Sequence, residues 1–190
     1  MSKLSRGQKG EEIVSDILNS IKEYHYLLNN VTFKNKRSEM THQIDHILIH
    51  PHGVFVIETK NYYGTISGNK DDIYWIKTFN KRGKIVKEKF MNPIKQNNAH
   101  IRYIKKIIGK DIPIINFVVF VNNDVSHLGI YTVTNLDQLL NRIINWESDT
   151  SLSSKQMNDI NRMLLYLEAD MQNEDHVNNI KEMRRRRKGT

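Results

Sequence analysis

Three polar residues in two short apolar segments are the strongest candidates for chemistry in this sequence. Glu58 and Lys60 lie at the end of VFVIETK, and Asp45 lies within QIDHILI. Side chains alternate between the two faces of a strand, so Glu58 and Lys60 share one face. Aspartate is depleted in strands and unfavourable in an apolar environment, so Asp45 needs a local reason to be there. Two carboxylates and an ammonium group on one surface suit the binding of a divalent metal and a phosphate.

A hairpin is predicted to bring Asp45 to the surface that carries Glu58. The turn residues Pro51-His52-Gly53 separate the two apolar segments. A turn centred between Pro51 and His52 places Asp45 directly across from Glu58. A shift of one residue would turn one strand over and separate the carboxylates, whereas a shift of two would keep them on one face.

The facing carboxylates predict a metal site, because cross-strand neighbours about 5 Å apart repel unless a cation or a shared proton lies between them. Mg²⁺ (or Mn²⁺) prefers oxygen ligands and keeps several waters, so we predict Asp45, Glu58 and the carbonyl of Thr59 as its ligands. Lys60 would then hold the attacking water or neutralise charge on the phosphate. A Glu-x-Lys pattern alone is usually an ordinary ion pair, so the prediction depends on the combination.

Glu11 is a further candidate, because it lies on the inward stripe of the first predicted helix, three residues before Val14 and seven before Leu18. Two interpretations remain open. The first turn of a helix favours negative charge through the helix dipole. Alternatively, Glu11 reaches the same cluster as a ligand, an orienting group or an acid for the leaving oxygen.

The elements that must position these residues follow from the periodicity of the N-terminal half. Ser5 and Gln8 are spaced as a capping box and predict a helix over about 6–23. Its apolar stripe consists of Ile13, Val14, Ile17, Leu18 and Ile21. Strands are predicted over 26–33, 43–50, 54–60, 73–78 and 84–90, and turn signals break up the segment 65–67. This pattern predicts a sheet that is antiparallel through its middle.

The C-terminal half adds parallel strands and helices. Asn92-Pro93 is a cap followed by proline at the first helical position, and predicts a helix that ends at Gly109. The apolar run 112–121 predicts a strand covered on both faces, followed by a shorter one at 130–134. Two further helices are predicted to begin after Asn135 and after Ser153 or Ser154. The fold class is therefore α/β, an α+β mixed sheet flanked by helices.

Composition narrows the class of protein. The chain has 190 residues, enough for one domain and an extension, and no cysteine, which excludes disulfides and thiolate metal sites. Its net charge of +8 is expected of a polyanion binder. The polar N-terminus and the lack of an apolar segment of about 18 residues predict a cytoplasmic protein without a signal peptide or a membrane span.

Four motifs in this order resemble the NERD (nuclease-related) domain, a branch of the PD-(D/E)XK nuclease superfamily. They are Gly7-Gln8-Lys9-Gly10-Glu11, Gln43-Ile44-Asp45-His46, Val56-Ile57-Glu58-Thr59-Lys60-Asn61 and Asn92-Pro93-Ile94-Lys95-Gln96. The resemblance covers roughly residues 6–140 and implies a restriction-endonuclease-like core with magnesium-dependent cleavage of DNA. It also implies Asp45 and Glu58 as ligands, Lys60 as the residue that positions water, Glu11 as the helix carboxylate and Gln96 as a helix residue of the site.

With this resemblance, we predict a nuclease-like domain over 1–146, a C-terminal helical extension over 147–172 and a basic, flexible tail over 173–190. The tail ends in Arg184-Arg185-Arg186-Arg187-Lys188 and either is simply solvated or contacts phosphates. DNA is the predicted partner, RNA remains possible, and the sequence does not define the oligomeric state.

Two other classes of function remain open. One is a catalytically silent nucleic-acid-binding module, and the other is a scaffold with an exposed apolar face over 164–171. His100 and Tyr103 follow Gln96 at helical spacing and are interpreted as a partly buried polar edge. Four aromatic residues, which are expected to pack rather than to stack on bases, are Tyr62, Tyr63, Tyr74 and Trp75.

Overall fold

The computed structural model describes residues 4–34 and 41–166. The helices are α1 (Arg6–Asn19), α2 (Pro93–Ile108), α3 (Leu136–Ile144) and α4 (154–166). The strands are β1 (Tyr26–Lys34), β2 (Thr41–His50), β3 (Gly53–Lys60), β4 (Thr65–Ser67), β5 (Tyr74–Lys81), β6 (Lys84–Met91), β7 (Ile114–Phe120) and β8 (Val133–Asn135). The predicted fold class, a mixed sheet flanked by helices, is confirmed.

The main sheet has five strands in the order β1-β2-β3-β7-β8. The β1–β2 and β2–β3 pairs are antiparallel, and the β3–β7 and β7–β8 pairs are parallel. Both faces of β3 are covered, which explains its continuous apolar sequence. Val54 and Val56 pack towards α2 and α4, and Phe55 and Ile57 pack towards α1 and α3. Helices therefore approach the end of β3 from both sides of the sheet.

The β2–β3 hairpin has the register expected from a turn at Pro51-His52. His50 lies opposite Gly53, and His46 lies opposite Ile57. The regular ladder stops at His46, immediately before Asp45. On the other side of β2, the paired positions bracket Asn30, which has a left-handed φ of 55°. This local distortion is one that asparagine tolerates, and it lies where Asp45 leaves the ladder.

The second sheet is a difference from the sequence-based expectation of a single mixed sheet that is antiparallel through its middle. Strands β4, β5 and β6 form a separate three-stranded sheet. The reason is that β2 and β7 already occupy both hydrogen-bonding edges of β3, so the chain after Lys60 has to pair with itself. Trp75 packs this sheet against the main one. It is 0% exposed and stacks on Phe120 of β7, with ring centroids 6.3 Å apart. Trp75 is therefore not available to stack on a base.

Several element boundaries differ from the prediction. Helix α1 ends at Asn19 rather than near residue 23, because the backbone N–H and the hydroxyl of Ser20 both donate to the carbonyl of Ile17. Ile13, predicted on the apolar stripe, is 41% exposed. Strand β8 begins only at Val133, after a 3₁₀ turn over Ser126–Leu128. The capping box of Ser5 and Gln8 is present as predicted.

The C-terminal segment packs on the same core as the main sheet. Met157, Ile160 and Leu164 are buried in the cluster that contains Val54 and Val56. Leu164 is therefore not part of an exposed apolar face, whereas Leu165 and Tyr166 are 44% and 73% exposed. Positions 167–171 of that hypothesis lie outside the described residues. The basic tail over 173–190 also lies outside them. Within the described ranges, no helix is long and apolar enough to span a bilayer.

Candidate active site

Glu58, Lys60 and Gln96 form a hydrogen-bonded triangle at the end of β3. The Lys60 ammonium lies 2.6 Å from Glu58 Oε1, and Gln96 Nε2 donates to the same oxygen at 2.8 Å. Lys60 Nζ also donates to Gln96 Oε1 at 3.3 Å. Glu58 is only 3% exposed, so these two donors supply what water would otherwise provide. The arrangement fixes the carboxylate and the ammonium in one orientation.

Gln96 reaches this position because hydrogen bonds of Asn92 fix the start of α2. The Asn92 side chain accepts a hydrogen bond from the N–H of Ile94. Its amide group donates to the carbonyls of Lys70 and Asp72, at 3.0 and 2.7 Å. These bonds hold the preceding loop against the first turn of α2. Gln96, in that turn, is thereby held against β3.

Asp45 reaches the site through the backbone of β3. Its Oδ2 accepts a hydrogen bond from the N–H of Thr59 at 2.7 Å. The β2–β3 ladder has ended before Thr59, so the aspartate accepts the hydrogen bond that a strand carbonyl would otherwise accept from the Thr59 N–H. This is the local reason for an acidic residue in β2. The Lys60 carbonyl accepts from Val121 on the β7 side. Because successive carbonyls of a strand point to opposite sides, the Thr59 carbonyl points towards Asp45.

Glu11 approaches from α1, on the opposite face of the sheet from α2. It is half-buried, and its charge interacts with those of Asp45 and Lys60. Close packing brings α1 here: a Cβ added at Gly10 would lie 2.8 Å from Asn61 Cβ. Asn61 also donates to the carbonyl of Arg6 at 2.9 Å. Glycine at position 10 thus sets the distance between Glu11 and the end of β3.

The packing of Gly10 gives a direct test of this placement. Gly10→Ala should lower the free energy of unfolding, because overpacking costs about 1–3 kcal/mol and offsets a helix-propensity gain of about 1 kcal/mol. Gly7→Ala is the matched control on the same helix, since its Cβ would be 3.8 Å from the nearest atoms. Urea unfolding measures both. Equal stabilisation by the two substitutions would contradict the close approach of α1 to Asn61.

The electrostatics of the cluster are dominated by burial. Burial, and then the charge of Glu58, raise the pKa of Asp45 to about 7 against the opposing effects of the Thr59 N–H and Lys60. Burial also raises the pKa of Glu58, and burial followed by the charge of Asp45 raises the pKa of Glu11. Burial favours the neutral form of Lys60, but the charge and hydrogen bond of Glu58 outweigh it and raise the Lys60 pKa. The lysine therefore stays protonated.

The donor set fits a hard divalent cation. Glu11, Asp45 and Glu58 raise one another's proton affinity, and Lys60 is the cation that faces all three. A cation such as Mg²⁺ relieves this excess of negative charge and prefers these oxygen donors. Among the described residues, no group of three or more side chains converges closely enough to hold a metal unaided. Asp45, Glu58 and the backbone carbonyl of Thr59 therefore stay the predicted ligand set, in which two side chains act with one backbone oxygen.

The raised pKa of Asp45 predicts a pH dependence of stability. Its ordinary value is 3.8 and its folded value about 7, so between these the folded state binds more protons than the unfolded state. Stability from this group is therefore lost as pH rises from about 4 to 7. Asp45→Asn removes that loss, and its stability advantage over wild type in metal-free buffer should grow across this window. Urea unfolding at several pH values measures it, and a constant difference would contradict the raised pKa.

His46 and Thr59 are hydrogen-bonded to each other beside the candidate site. His46 is buried, and its Nδ1 and Nε2 lie 2.7 Å from Asn29 Oδ1 and 3.1 Å from Thr59 Oγ1. Burial lowers the pKa of His46 to about 4, so the ring is neutral. It then donates to Asn29 and accepts from the Thr59 hydroxyl. His46 thus orients Thr59.

The burial of His100 is greater than the sequence indicated, since the sequence predicted a partly buried polar edge. The residue is 6% exposed, and its Nε2 lies 4.0 Å from Glu58 Oε2. It is buried because α2 packs its Gln96 face directly against β3. The signal in the sequence was the spacing of four residues from Gln96, which places both on one helix face.

A polar cleft of about 740 Å³ lies beside the cluster, between α1 and the β1–β2 strands. It reaches Glu11 and His46 but is not lined by Asp45, Glu58 or Lys60. Its acidic lining residues are Glu11, Glu12 and Asp16, and no lysine or arginine among the described residues lines it. The described lining of this cleft is therefore a poor surface for a polyanion.

The mixed sheet, with an acidic cluster and a lysine at the end of its central strand, defines a nuclease-like protein. The chain belongs to the nuclease-related domain (NERD) family, whose model matches residues 6–121. It is similar to an uncharacterized protein of Bacillus anthracis, with 37% identity over 116 residues that cover 60% of this chain and 52% of the relative. The chain thus spans about half the length of this curated relative. No solved structure matches it.

Proposed function

We propose that this protein is a divalent-metal-dependent nuclease that hydrolyses phosphodiester bonds in DNA, acting in the cytoplasm. One observation carries the proposal: Lys60, Glu58 and Gln96 are locked together beside Asp45 at the end of a buried strand. Buried charge of this kind is unfavourable for folding unless it is compensated. It concentrates at sites of catalysis, and it lies within the region that defines a nuclease-related family.

In this proposal each residue has a separate task. Asp45, Glu58 and the Thr59 carbonyl would hold Mg²⁺ or Mn²⁺, which when bound supplies Lewis acidity towards a phosphate oxygen and makes a water more acidic. The Lys60 ammonium orients the attacking water and stabilises negative charge on the phosphate. Gln96 keeps the Glu58 carboxylate in place. Glu11 adds negative charge from the α1 side and orients the cluster.

DNA as the substrate is tested by comparing the cleavage of four nucleic acids. Purified protein is incubated with supercoiled plasmid, a linear duplex, a single strand and RNA of the same sequence, each with Mg²⁺, Mn²⁺ or EDTA. We expect metal-dependent loss of DNA that exceeds loss of RNA. Cleavage of RNA alone would overturn the assignment of DNA. Binding without cleavage in every metal would favour the catalytically silent nucleic-acid-binding module.

A further inference from the structure

A small pocket opens at the C-terminal end of β3. It has a volume of about 130 Å³ and is lined by Arg6, Asn61, Tyr62, Tyr63, Lys77 and Phe79. Asn61 is the residue after Lys60, and the charge of Lys60 interacts with Tyr62. The pocket therefore adjoins the candidate active site directly.

The cations of this pocket cover its aromatic faces. The Arg6 guanidinium carbon lies 3.0 Å from the centroid of the Tyr63 ring, and Lys77 Nζ lies 4.9 Å from that of Tyr62. A nucleobase needs an uncovered ring on which to stack, whereas a phosphate needs fixed donors and positive charge. The pocket presents the second set of groups.

The β5–β6 hairpin continues this positive surface away from the pocket. Lys77, Phe79 and Lys81 point to one face of β5, which is here called the inner face and is shared with Lys84 and Glu88 on β6. Glu88 Oε2 lies 2.8 Å from Lys77 Nζ and fixes its position, so the uncompensated charge of this face lies at Lys81 and Lys84. Lys77 and Lys81 are separated by four residues, or about 13 Å along the strand. That length spans roughly four steps of a nucleic-acid strand at 3.4 Å each.

The tip of the hairpin is arranged unfavourably for the protein alone. Lys81 lies directly opposite Lys84, a pairing in which like charges repel. Arg82, in the turn between them, has a φ of 53°, where asparagine or glycine would be less strained. An external anion on this face relieves the repulsion.

From the pocket and the hairpin together, we propose that Arg6, Lys77, Lys81 and Lys84 bind the phosphate backbone of the nucleic-acid strand next to the cleaved bond. The inference rests on the proposed function, since it names where the substrate of that site lies.

The hairpin supplies its own matched control. Lys81→Ala with Lys84→Ala removes two charges from the inner face, and Lys87→Ala with Lys89→Ala removes two from the outer face. All four lysines are exposed. Arg6→Gln is paired with Arg102→Gln, which changes an exposed arginine on α2. Binding of a fluorescein-labelled duplex is followed by anisotropy in EDTA between about 50 and 200 mM salt.

We expect the inner-face pair to weaken binding at low salt at least about tenfold and to flatten the slope of log affinity against log salt by about 1.8, or 0.9 for each lost contact. The outer-face pair should change affinity less than about threefold. Thermal melting confirms folding, and Lys81→Gln with Lys84→Gln keeps the side-chain stems if the alanine pair unfolds.

Equal effects of the inner-face and outer-face pairs would overturn the proposal. So would an equal loss of binding to poly-glutamate, because the surface would then attract any polyanion. Binding is measured without metal and without cleavage, so a failure here leaves the nuclease activity untouched. Conversely, a protein that never cleaves but binds through the inner face would contradict only the proposed function.

Discussion

Lys60→Met should lower the rate of DNA cleavage at least about a hundredfold. The Lys60 ammonium is held 2.6 Å from Glu58 and cannot be replaced by a surface lysine or by bulk cations. Methionine keeps the apolar stem but removes the charge that we propose orients the attacking water and stabilises the phosphate. The measurement is the single-turnover rate at saturating duplex with Mg²⁺, so that weaker binding does not enter.

Stability needs a control in this experiment. Removing one partner of a buried ion pair costs about 3–5 kcal/mol when the other stays charged. Glu58 can take up a proton instead, because burial already raises its pKa, and Gln96 remains as a hydrogen-bond donor. Circular dichroism at the assay temperature should show a folded protein. Lys110→Met, at an exposed position after α2, should cleave like wild type. An unchanged rate for Lys60→Met would remove this lysine from the mechanism.

Asp45→Asn should weaken binding of Mg²⁺ or Mn²⁺ more than about tenfold and raise the melting temperature in metal-free buffer. Asparagine still accepts a hydrogen bond from the Thr59 N–H, so the end of the ladder is preserved. It removes a charge that burial and Glu58 both disfavour. Isothermal titration calorimetry measures the affinity, and scanning calorimetry in EDTA measures the melting temperature.

The two effects of Asp45→Asn have opposite signs, which separates them from general damage to the fold. A misfolded variant would lose both affinity and stability. Glu12→Gln is the charge-matched control, because Glu12 is exposed on α1 and is not a proposed ligand. Unaltered metal affinity in Asp45→Asn would mean that Asp45 is not a ligand, even though its carboxylate lies beside Thr59.

The sequence predicted the β2–β3 hairpin well because three independent features agree there. Alternating apolar residues define the strands, Pro51-His52 allows only a short turn, and Gly53 adopts a φ of 136°. The shared face of Glu58 and Lys60 follows from strand alternation alone, whereas Gln96 joins them from α2. The position of Asp45 beyond the end of the β2–β3 ladder does not follow from strand alternation. It depends on the conformation of Asn30 in the neighbouring strand.

Other parts of the site depend on which elements meet, and local periodicity does not contain that information. A strand pattern assigns side chains to faces but does not say that β2 and β7 fill both edges of β3. The second sheet is separate because both edges of β3 are already paired. Likewise, the stacking of Arg6 on Tyr63 requires α1 to approach the end of β3, which Gly10 permits through a contact with Asn61.

The most direct test of a metal-dependent nuclease is a single-turnover time course with one DNA duplex, using wild type and Glu58→Gln purified side by side. Glu58→Gln is nearly isosteric and keeps partners for Lys60 and Gln96, so it removes mainly the charge of the proposed ligand. We predict product from wild type with Mg²⁺ or Mn²⁺, none with EDTA, and at least about a hundredfold less from the variant. Equal product from both proteins, or none from wild type in either metal, would contradict the account.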